Sequence, residues 1–556
     1  MDRSEGVHKM KKALAIGIDD FRRLREENYY YIDKTMMIKD FIEYRNYVSL
    51  ITRPRRFGKT LNMTMLKEFF DISKDSRDIF QGLKIMETEH AEKINTVPVI
   101  YLTFKNCSGE TAEEMKEGFA NELWNEYRRF EDIFRSSVNR ESNDYYRFYQ
   151  IYEMLKKGEI KTFLLKSSLT ELIKVVSIYH DSKPLVLIDE YDHPLIKAHE
   201  KGFREEFSSV YGSFLGEALK GNEHLGQALL TGIQRVAKES IFSGLNNLMV
   251  YPVSSKKFAP HFGLNTDETR QLLLDYEVEL DSRLRLYYDG YIFGGINMYN
   301  PWSMLYYLTE KELKPYWVKT STNYLVKEAI RNAERDFTDV FEQLILDGEV
   351  KVSVNLEASF FELSSTATLW GLLVNSGYLT IVKECDYGTS VLKIPNQEVK
   401  EEFRLIVASY TSLSADRLRE LFISLATNDM KKFLNIYQSL VYEYVSMHDI
   451  RENSYHMLFL GMAISASDLY KITSNIEVGD GRPDVVMESL QPALRPHVII
   501  ELKQGEDIEK LKQEALEQIL EKKYYAKLKG KVLCVGLAHN KKKCELAYKE
   551  IEIAES

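Results

Sequence analysis

Three short stretches of this chain place charged and hydroxyl side chains at spacings suited to phosphate chemistry. The first is Arg53-Pro54-Arg55-Arg56-Phe57-Gly58-Lys59-Thr60, between the apolar run Tyr47 to Ile51 and the helix-forming run Leu61 to Phe70. Strand, loop, Gly-Lys-Thr and helix is the layout of a phosphate-binding loop. Loop N–H groups from Arg55, Arg56 and Phe57 through Gly58 to Leu61, with the start of the helix, offer partial positive charge to a phosphate. Lys59 is then the ammonium that reaches the β- and γ-phosphates of ATP, and the Thr60 hydroxyl is a ligand for Mg²⁺. The pattern departs at one place: Arg53 stands where G-x-x-x-x-G-K-S/T has its first glycine. A basic surface loop before an ordinary helix has a similar composition.

The second stretch weighs against that plain alternative. Leu185-Val186-Leu187-Ile188-Asp189-Glu190 is an apolar run ending in two acids, the pattern of a buried parallel strand. Ligands of open α/β sheets bind at such C-terminal strand ends. Asp189 can hold the Mg²⁺ shell, and Glu190 can orient or deprotonate an attacking water. The strand-like run Gln227 to Gly232 ends in Thr231, a candidate to sense the γ-phosphate, with Arg235 or Lys238 following it.

The third stretch lies near the C-terminal end. Pro483-Asp484 opens a strand, the connection Gln491 to His497 carries two prolines, and Val498-Ile499-Ile500-Glu501-Leu502-Lys503 follows. Glu501 and Lys503 face the same side of a strand. A hairpin could bring Asp484 beside them, giving two carboxylates for Mg²⁺ and a lysine to act on water.

Taken together these motifs resemble a family of bacterial AAA-ATPase-like proteins with a C-terminal PD-(D/E)xK nuclease-like domain. The likeness also rests on Ile16 to Phe21, Tyr30 to Thr35, Tyr288-Asp289-Gly290-Tyr291, Asn300-Pro301-Trp302-Ser303 and Gly481-Arg482-Pro483-Asp484. It implies ATP and Mg²⁺ as cofactors and a phosphodiesterase site at Asp484, Glu501 and Lys503. It also implies a role for Gln518, which matches a helix glutamine of that family. Glu452 and His456, or Glu477, would supply a further acidic helix position. The partners implied are ATP and nucleic acid, DNA ahead of RNA; self-association is left open. The enzyme reading is an ATPase that controls a nuclease. The alternative is a nucleotide-dependent switch or partner-binding protein whose nuclease-like domain does not cleave.

The elements that must hold these residues follow from periodicity. A short helix is expected near Phe21 to Glu27, a second buried strand at Val97 to Phe104, and helices from Thr111 to about Ile178. Alternating strands and helices make this a parallel α/β sheet. Asn265 to Glu268 reads as a helix start capped by Thr266 or Asp267, opening a helical lid to about Asp347. The aromatic run Tyr287 to Trp302 reads as structural, with Asn300-Pro301 as N-cap and first helical residue. Helix, hairpin around Asp386-Tyr387-Gly388, and helix between Leu369 and Val407 suggest a winged-helix-like connector. A helical pattern from Ser414 to Ile464, the acid-tipped strands, an amphipathic helix Ile508 to Leu528 and a strand Lys531 to Leu537 complete the chain. Periodicity makes the expected fold class α/β, and the resemblance implies a P-loop ATPase at 1–264, a lid and connector at 265–412, and a restriction-endonuclease-like domain at 413–556.

With 556 residues and a net charge of −10 the chain is no general polyanion binder, so any nucleic-acid contact must come from a local patch. Cys107, Cys385, Cys534 and Cys544 have no C-x-x-C spacing, which argues against a zinc site and a disulfide framework. The residues after Met1 carry no apolar signal region and no long apolar run occurs, so a cytoplasmic protein without membrane contact is expected.

Overall fold

The computed structural model of the protein describes residues 11–131, 143–159, 161–235, 248–317, 348–357, 365–410, 415–444, 468–473 and 481–553, with isolated positions in 337–344 and 455–466. The chain divides into two compact units, Met1–Glu334 with Glu349–Val399, and Arg335–Gly348 with Lys400–Ser556.

The first unit is built on five parallel strands: β1 (Val48–Thr52), β2 (Val99–Thr103), β3 (Leu185–Asp189), β4 (Gln227–Gly232) and β5 (Leu248–Tyr251). Every residue of β1 and β3 is buried, as continuous apolar runs require when both sheet faces are covered. Helices Ala112–Arg129, Thr162–His180 and Arg204–Leu219 share one apolar core with these strands. The strand order is β2-β3-β4-β1-β5. The strand before the phosphate-type loop therefore neighbours β4 and not β3, and the tips of β1, β4 and β3 lie in a row.

The region after β5 is not purely helical as expected. β6 (Leu264–Asn265), β7 (Tyr291–Phe293) and β8 (Ile296–Tyr299) form a small antiparallel sheet. Its hairpin turns at Gly294 and Gly295, both at positive φ, as a two-residue connection demands. Strands of two to four residues are too short to leave a periodic trace. The helix Thr266–Asp275 is capped by Asn265, not by Thr266 or Asp267. Asn265 Oδ1 accepts from Glu268 N at 2.9 Å, and Glu268 Oε2 accepts from Asn265 N at 2.8 Å. Asn300 caps the helix Pro301–Glu310 as read from the sequence. Further on, β9 (Glu349–Ser353), β10 (Thr380–Glu384) and β11 (Thr389–Lys393) form a three-stranded antiparallel sheet behind the helix Thr366–Asn375. β9 was not legible in the sequence; the hairpin β10–β11 was.

The second unit carries a mixed sheet in the order β12-β13-β14-β15-β16: β12 (Tyr470–Thr473), β13 (Val485–Ser489), β14 (His497–Gln504), β15 (Gly530–Asn540) and β16 (Lys543–Ile553). Only β14 and β15 pair in parallel, and the crossover between them is the helix Ile508–Glu521. Helices Ala415–Ala426 and Met430–Tyr444 contribute to the apolar core on one face, and Ile508–Glu521 covers the other. Gly536 permits that cover: a Cβ there would lie 2.4 Å from Lys512 O and 2.6 Å from Leu516 N. The helix stops at Glu521, seven residues short of the expected end at Leu528, and residues 522–527 form turns. Among the described residues no helix is long and apolar enough to cross a membrane.

Candidate functional site

In the first unit the row of strand tips brings three separated segments together. Gly58 takes the left-handed conformation (φ 84°) and starts the helix Lys59–Phe70. At the second residue of this helix, Thr60 Oγ1 donates to Asp189 Oδ2 at 2.7 Å. Thr231 Oγ1 donates to the other oxygen, Asp189 Oδ1, at 2.5 Å. The carboxylate at the tip of β3 thus joins the hydroxyl after the loop lysine to the hydroxyl at the tip of β4. Burial and the neighbouring Glu190 push the Asp189 carboxyl up from its ordinary value, and the two hydroxyls oppose this. Lys59 is buried, and its Nζ donates to Arg53 O at 3.0 Å and Pro54 O at 2.9 Å. Burial holds its pKa below the usual lysine value, against the attraction of Glu190, Asp189 and Asp192.

Glu190 sits at φ 51°, a conformation that costs a non-glycine residue about 1 kcal/mol or more and that is found where structure over-determines it. Its carboxylate lies 4.0 Å from His193 Nδ1. The next two residues hold the exit of β4. Asp192, 2% exposed, accepts from Ile233 N at 2.8 Å and Gln234 N at 3.1 Å. Tyr191 donates its hydroxyl to Gln234 O at 2.7 Å. Burial raises the Asp192 carboxyl to about 6, with the two N–H donors pulling the other way.

Glu190, His193 and the loop from Arg55 to Asn62 line a cleft of about 390 Å³. Its other walls include Ala15, Gly17 to Asp19, Tyr30 to Ile32, Lys34 and Lys105, with His261, Gly263, Leu264, Pro301, Trp302 and Leu305. The sequence reading of Tyr287 to Trp302 as structural holds for Tyr291, buried against Phe57 at 5.0 Å. Trp302 instead faces the cleft, with the Arg56 guanidinium 4.0 Å over its ring. Phe57 is fully buried, so only its backbone is available to a ligand. Arg235 points elsewhere: its Nη1 pairs with Glu357 Oε2 at 2.7 Å. Lys238 lies outside the described residues.

In the second unit the hairpin β13–β14 does what the spacing of its acids requires. Asp484 N donates to Glu501 Oε2 at 3.3 Å, and Leu502 N donates to Asp484 Oδ2 at 2.7 Å. Lys503 Nζ lies 4.0 Å from Glu501 Oε1. Glu501 is 4% exposed, whereas the Lys503 side chain is 28% exposed. From the covering helix Gln518 Nε2 donates to Glu501 Oε1 and, at 3.2 Å, to the Tyr524 hydroxyl. Tyr524 in turn lies close to Gly481, where a Cβ would be 3.0 Å from the hydroxyl. Glu452, His456 and Glu477, the expected further acidic positions, lie outside the described residues. Among the described residues no three His, Cys, Asp or Glu side chains converge on one point.

Residues 15–242 match the family model described as predicted AAA-ATPase, and residues 450–549 match that of the PD-(D/E)XK nuclease superfamily. The chain joins an AAA-ATPase-like domain to a PD-(D/E)XK nuclease-like domain. An uncharacterized protein from the vnfD 5′ region of Azotobacter chroococcum is 28% identical over 404 residues, covering 70% of this chain and 69% of its own length. The ATPase-like domain contains the Thr60–Asp189–Thr231 constellation, and the nuclease-like domain contains Asp484, Glu501, Lys503 and Gln518. Sequence reasoning missed Asp192, His193, Trp302 and Tyr524 as members of these sites. Asp192 had a signal, since it is the third acid of one strand end. Trp302 stood in the motif Asn300-Pro301-Trp302-Ser303, but its residue type alone does not separate it from a packing aromatic.

Proposed function

We propose that the chain is an ATP-hydrolysing protein whose ATPase-like domain controls a divalent-metal-dependent phosphodiesterase acting on nucleic acid. The observation that carries this is the pairing of Asp484 with Glu501 beside Lys503, in a chain that also binds Thr60 to Asp189 at a helix N-terminus. In each site the donors suit the group inferred. Thr60 and Asp189 are hard oxygen donors beside a lysine, as a Mg²⁺-bound triphosphate needs; Asp484 and Glu501 are adjacent carboxylates, as a second divalent ion needs. When bound, these ions supply charge neutralisation and an activated water.

The chain's own residues supply the rest. Lys59 leaves its two carbonyl partners for phosphate oxygens, and Arg55 and Arg56 add charge at the mouth of the cleft. Glu190 takes a proton from, or orients, the attacking water. In the nuclease-like domain Gln518 fixes one oxygen of Glu501, and Lys503 acts on water or on charge developing at the scissile phosphate.

The test is cleavage of plasmid, linear DNA and RNA with and without Mg²⁺, in three states: without nucleotide, with ADP, and with ATP bound to Glu190→Gln. Metal-dependent cleavage whose rate differs between the states supports the reading, because a ligand shifts an equilibrium only if it prefers one state. Equal rates, with binding confirmed in each, would mean tethered domains. No cleavage of any polymer would favour the non-cleaving switch.

A further inference from the structure

The turn that follows the helix Ile508–Glu521 is strongly basic. Residues 522–531 read Lys-Lys-Tyr-Tyr-Ala-Lys-Leu-Lys-Gly-Lys, five lysines and no acid in a protein of net charge −10. The preceding acid is Glu521. All five lysines are exposed, while Tyr524 and Leu528 are buried beneath them. Lys531 lies 3.7 Å from Glu550. Among the described residues Lys522, Lys523, Lys527 and Lys529 have no carboxylate within 4 Å. One or two cations after a helix C-terminus are explained by the helix dipole. Four exposed ammonium groups continuing to the start of β15 are not.

The position of this turn gives it meaning. Tyr524, its buried anchor, shares its hydroxyl with Gln518, which in turn holds Glu501. Lys522 and Lys523 therefore adjoin the shell of the Asp484–Glu501–Lys503 site, and Lys527 and Lys529 lead from it to the start of β14, where the Lys529 carbonyl accepts from His497 Nε2 at 3.0 Å. We infer that Lys522, Lys523, Lys527 and Lys529 form the surface on which the nuclease-like domain seats the phosphate backbone of a duplex nucleic acid. The inference rests on the reading of that site as a phosphodiesterase. Lysines contact phosphate without reading sequence, and their attraction is paid by counterion release. A single-strand site would add exposed aromatic platforms for unstacked bases. This segment has none: Tyr524 is buried and Tyr525 half-buried.

The experiment uses the full chain and a fluorescein-labelled DNA duplex of about 20 base pairs. Anisotropy is read between 50 and 200 mM salt without divalent ions. Each lost phosphate contact removes about 0.9 from the slope of log affinity against log salt. Replacing the four lysines by glutamine should flatten that slope by 3 to 4. The parent should then lose about 10²-fold more affinity across the range than the variant. The corresponding four-arginine variant should keep the parent slope. Equal slopes for parent and glutamine variant would overturn the surface, and metal-dependent cleavage by the parent would then still uphold the phosphodiesterase. A parent that neither binds nor cleaves any duplex overturns both. Equally lysine-dependent, equally tight binding of a single strand overturns the duplex assignment.

Discussion

His539 offers a quantitative test of the second unit. It lies on β15, fully buried, stacked on Tyr455 at 4.1 Å, with Nε2 3.0 Å from the Tyr437 hydroxyl. Among the described residues no carboxylate compensates it, and burial lowers its pKa from 6.5 to about 4, opposed by a weaker interaction with the Lys503 backbone. The sign is fixed by linkage: below pH 6.5 the unfolded chain binds a proton that the folded chain refuses. Stability is therefore full above pH 6.5 and falls as the pH drops towards 4. With these two values the loss is about 2 kcal/mol at pH 5 and about 3 kcal/mol at pH 4. His539→Gln retains a polar partner for Tyr437 but does not titrate, so the stability difference between parent and variant should shrink by about 2 kcal/mol from pH 8 to pH 5. All four tryptophans, Trp124, Trp302, Trp317 and Trp370, lie in the first unit, so their fluorescence is the wrong probe. Hydrogen exchange of β14 and β15, corrected for the intrinsic rate at each pH, reads the right element. A difference that stays flat from pH 8 to pH 5 would refute the buried neutral imidazole.

Three further outcomes follow from the sites. Lys59→Ala should lose ATP binding by calorimetry and Glu190→Gln should bind ATP but turn it over slowly; turnover like the parent's in both would remove the phosphate loop. Asp484→Asn and Glu501→Gln should each weaken divalent-ion binding at the β13–β14 hairpin, while Lys503→Ala keeps the ion and loses cleavage. Unchanged cleavage by Lys503→Ala would exclude the lysine from the chemistry. Gly536→Ala should cost more than about 2 kcal/mol, because the methyl group meets backbone atoms rather than a yielding side chain; a melting temperature within a degree of the parent's would show that the helix Ile508–Glu521 gives way freely.

The parts of both sites legible in the sequence were those carried by a single strand or loop. Gly58-Lys59-Thr60, the acid tip of β3 and the pair Glu501 and Lys503 each announce their geometry through local spacing. Asp484 beside Glu501 needed only a hairpin with a proline-rich connection, and the register of β13 on β14 provides it. What could not be read was the relation between segments far apart. The bond from Thr231 to Asp189 depends on β4 lying between β1 and β3, an order no local pattern records. Arg235 is engaged by Glu357, 122 residues later, so its distance from the sequence motif told nothing of its partner. The short strands β6 to β8, and β9 on the edge of its sheet, acquire their form from tertiary pairing, where propensity over two to five residues decides little.

Arg53, in the place of the first glycine, has a backbone that needs no glycine. A glycine is irreplaceable where φ is positive or where a Cβ would collide. Arg53 is not among the residues at positive φ; in this loop that conformation falls on Arg56, at 66°, and on Gly58, at 84°. The arginine side chain turns away from the cleft into the protein, where Nη1 donates to Thr52 O at 2.7 Å and Tyr251 O at 2.9 Å. Its guanidinium lies 5.1 Å from the Phe262 ring centroid and 5.5 Å from that of Phe293. Burial lowers its pKa to about 9, which leaves it charged at pH 7. Arg53 therefore bridges β1 and β5 and packs on the small sheet, while its N–H bonds to Gly232 O at 3.0 Å and its carbonyl accepts from Lys59. The strain that a glycine would have relieved sits three residues later, at Arg56, whose guanidinium stacks on Trp302. The loop has exchanged an early flexible position for a buried anchor, and the sequence departure removes no conformation that the loop uses.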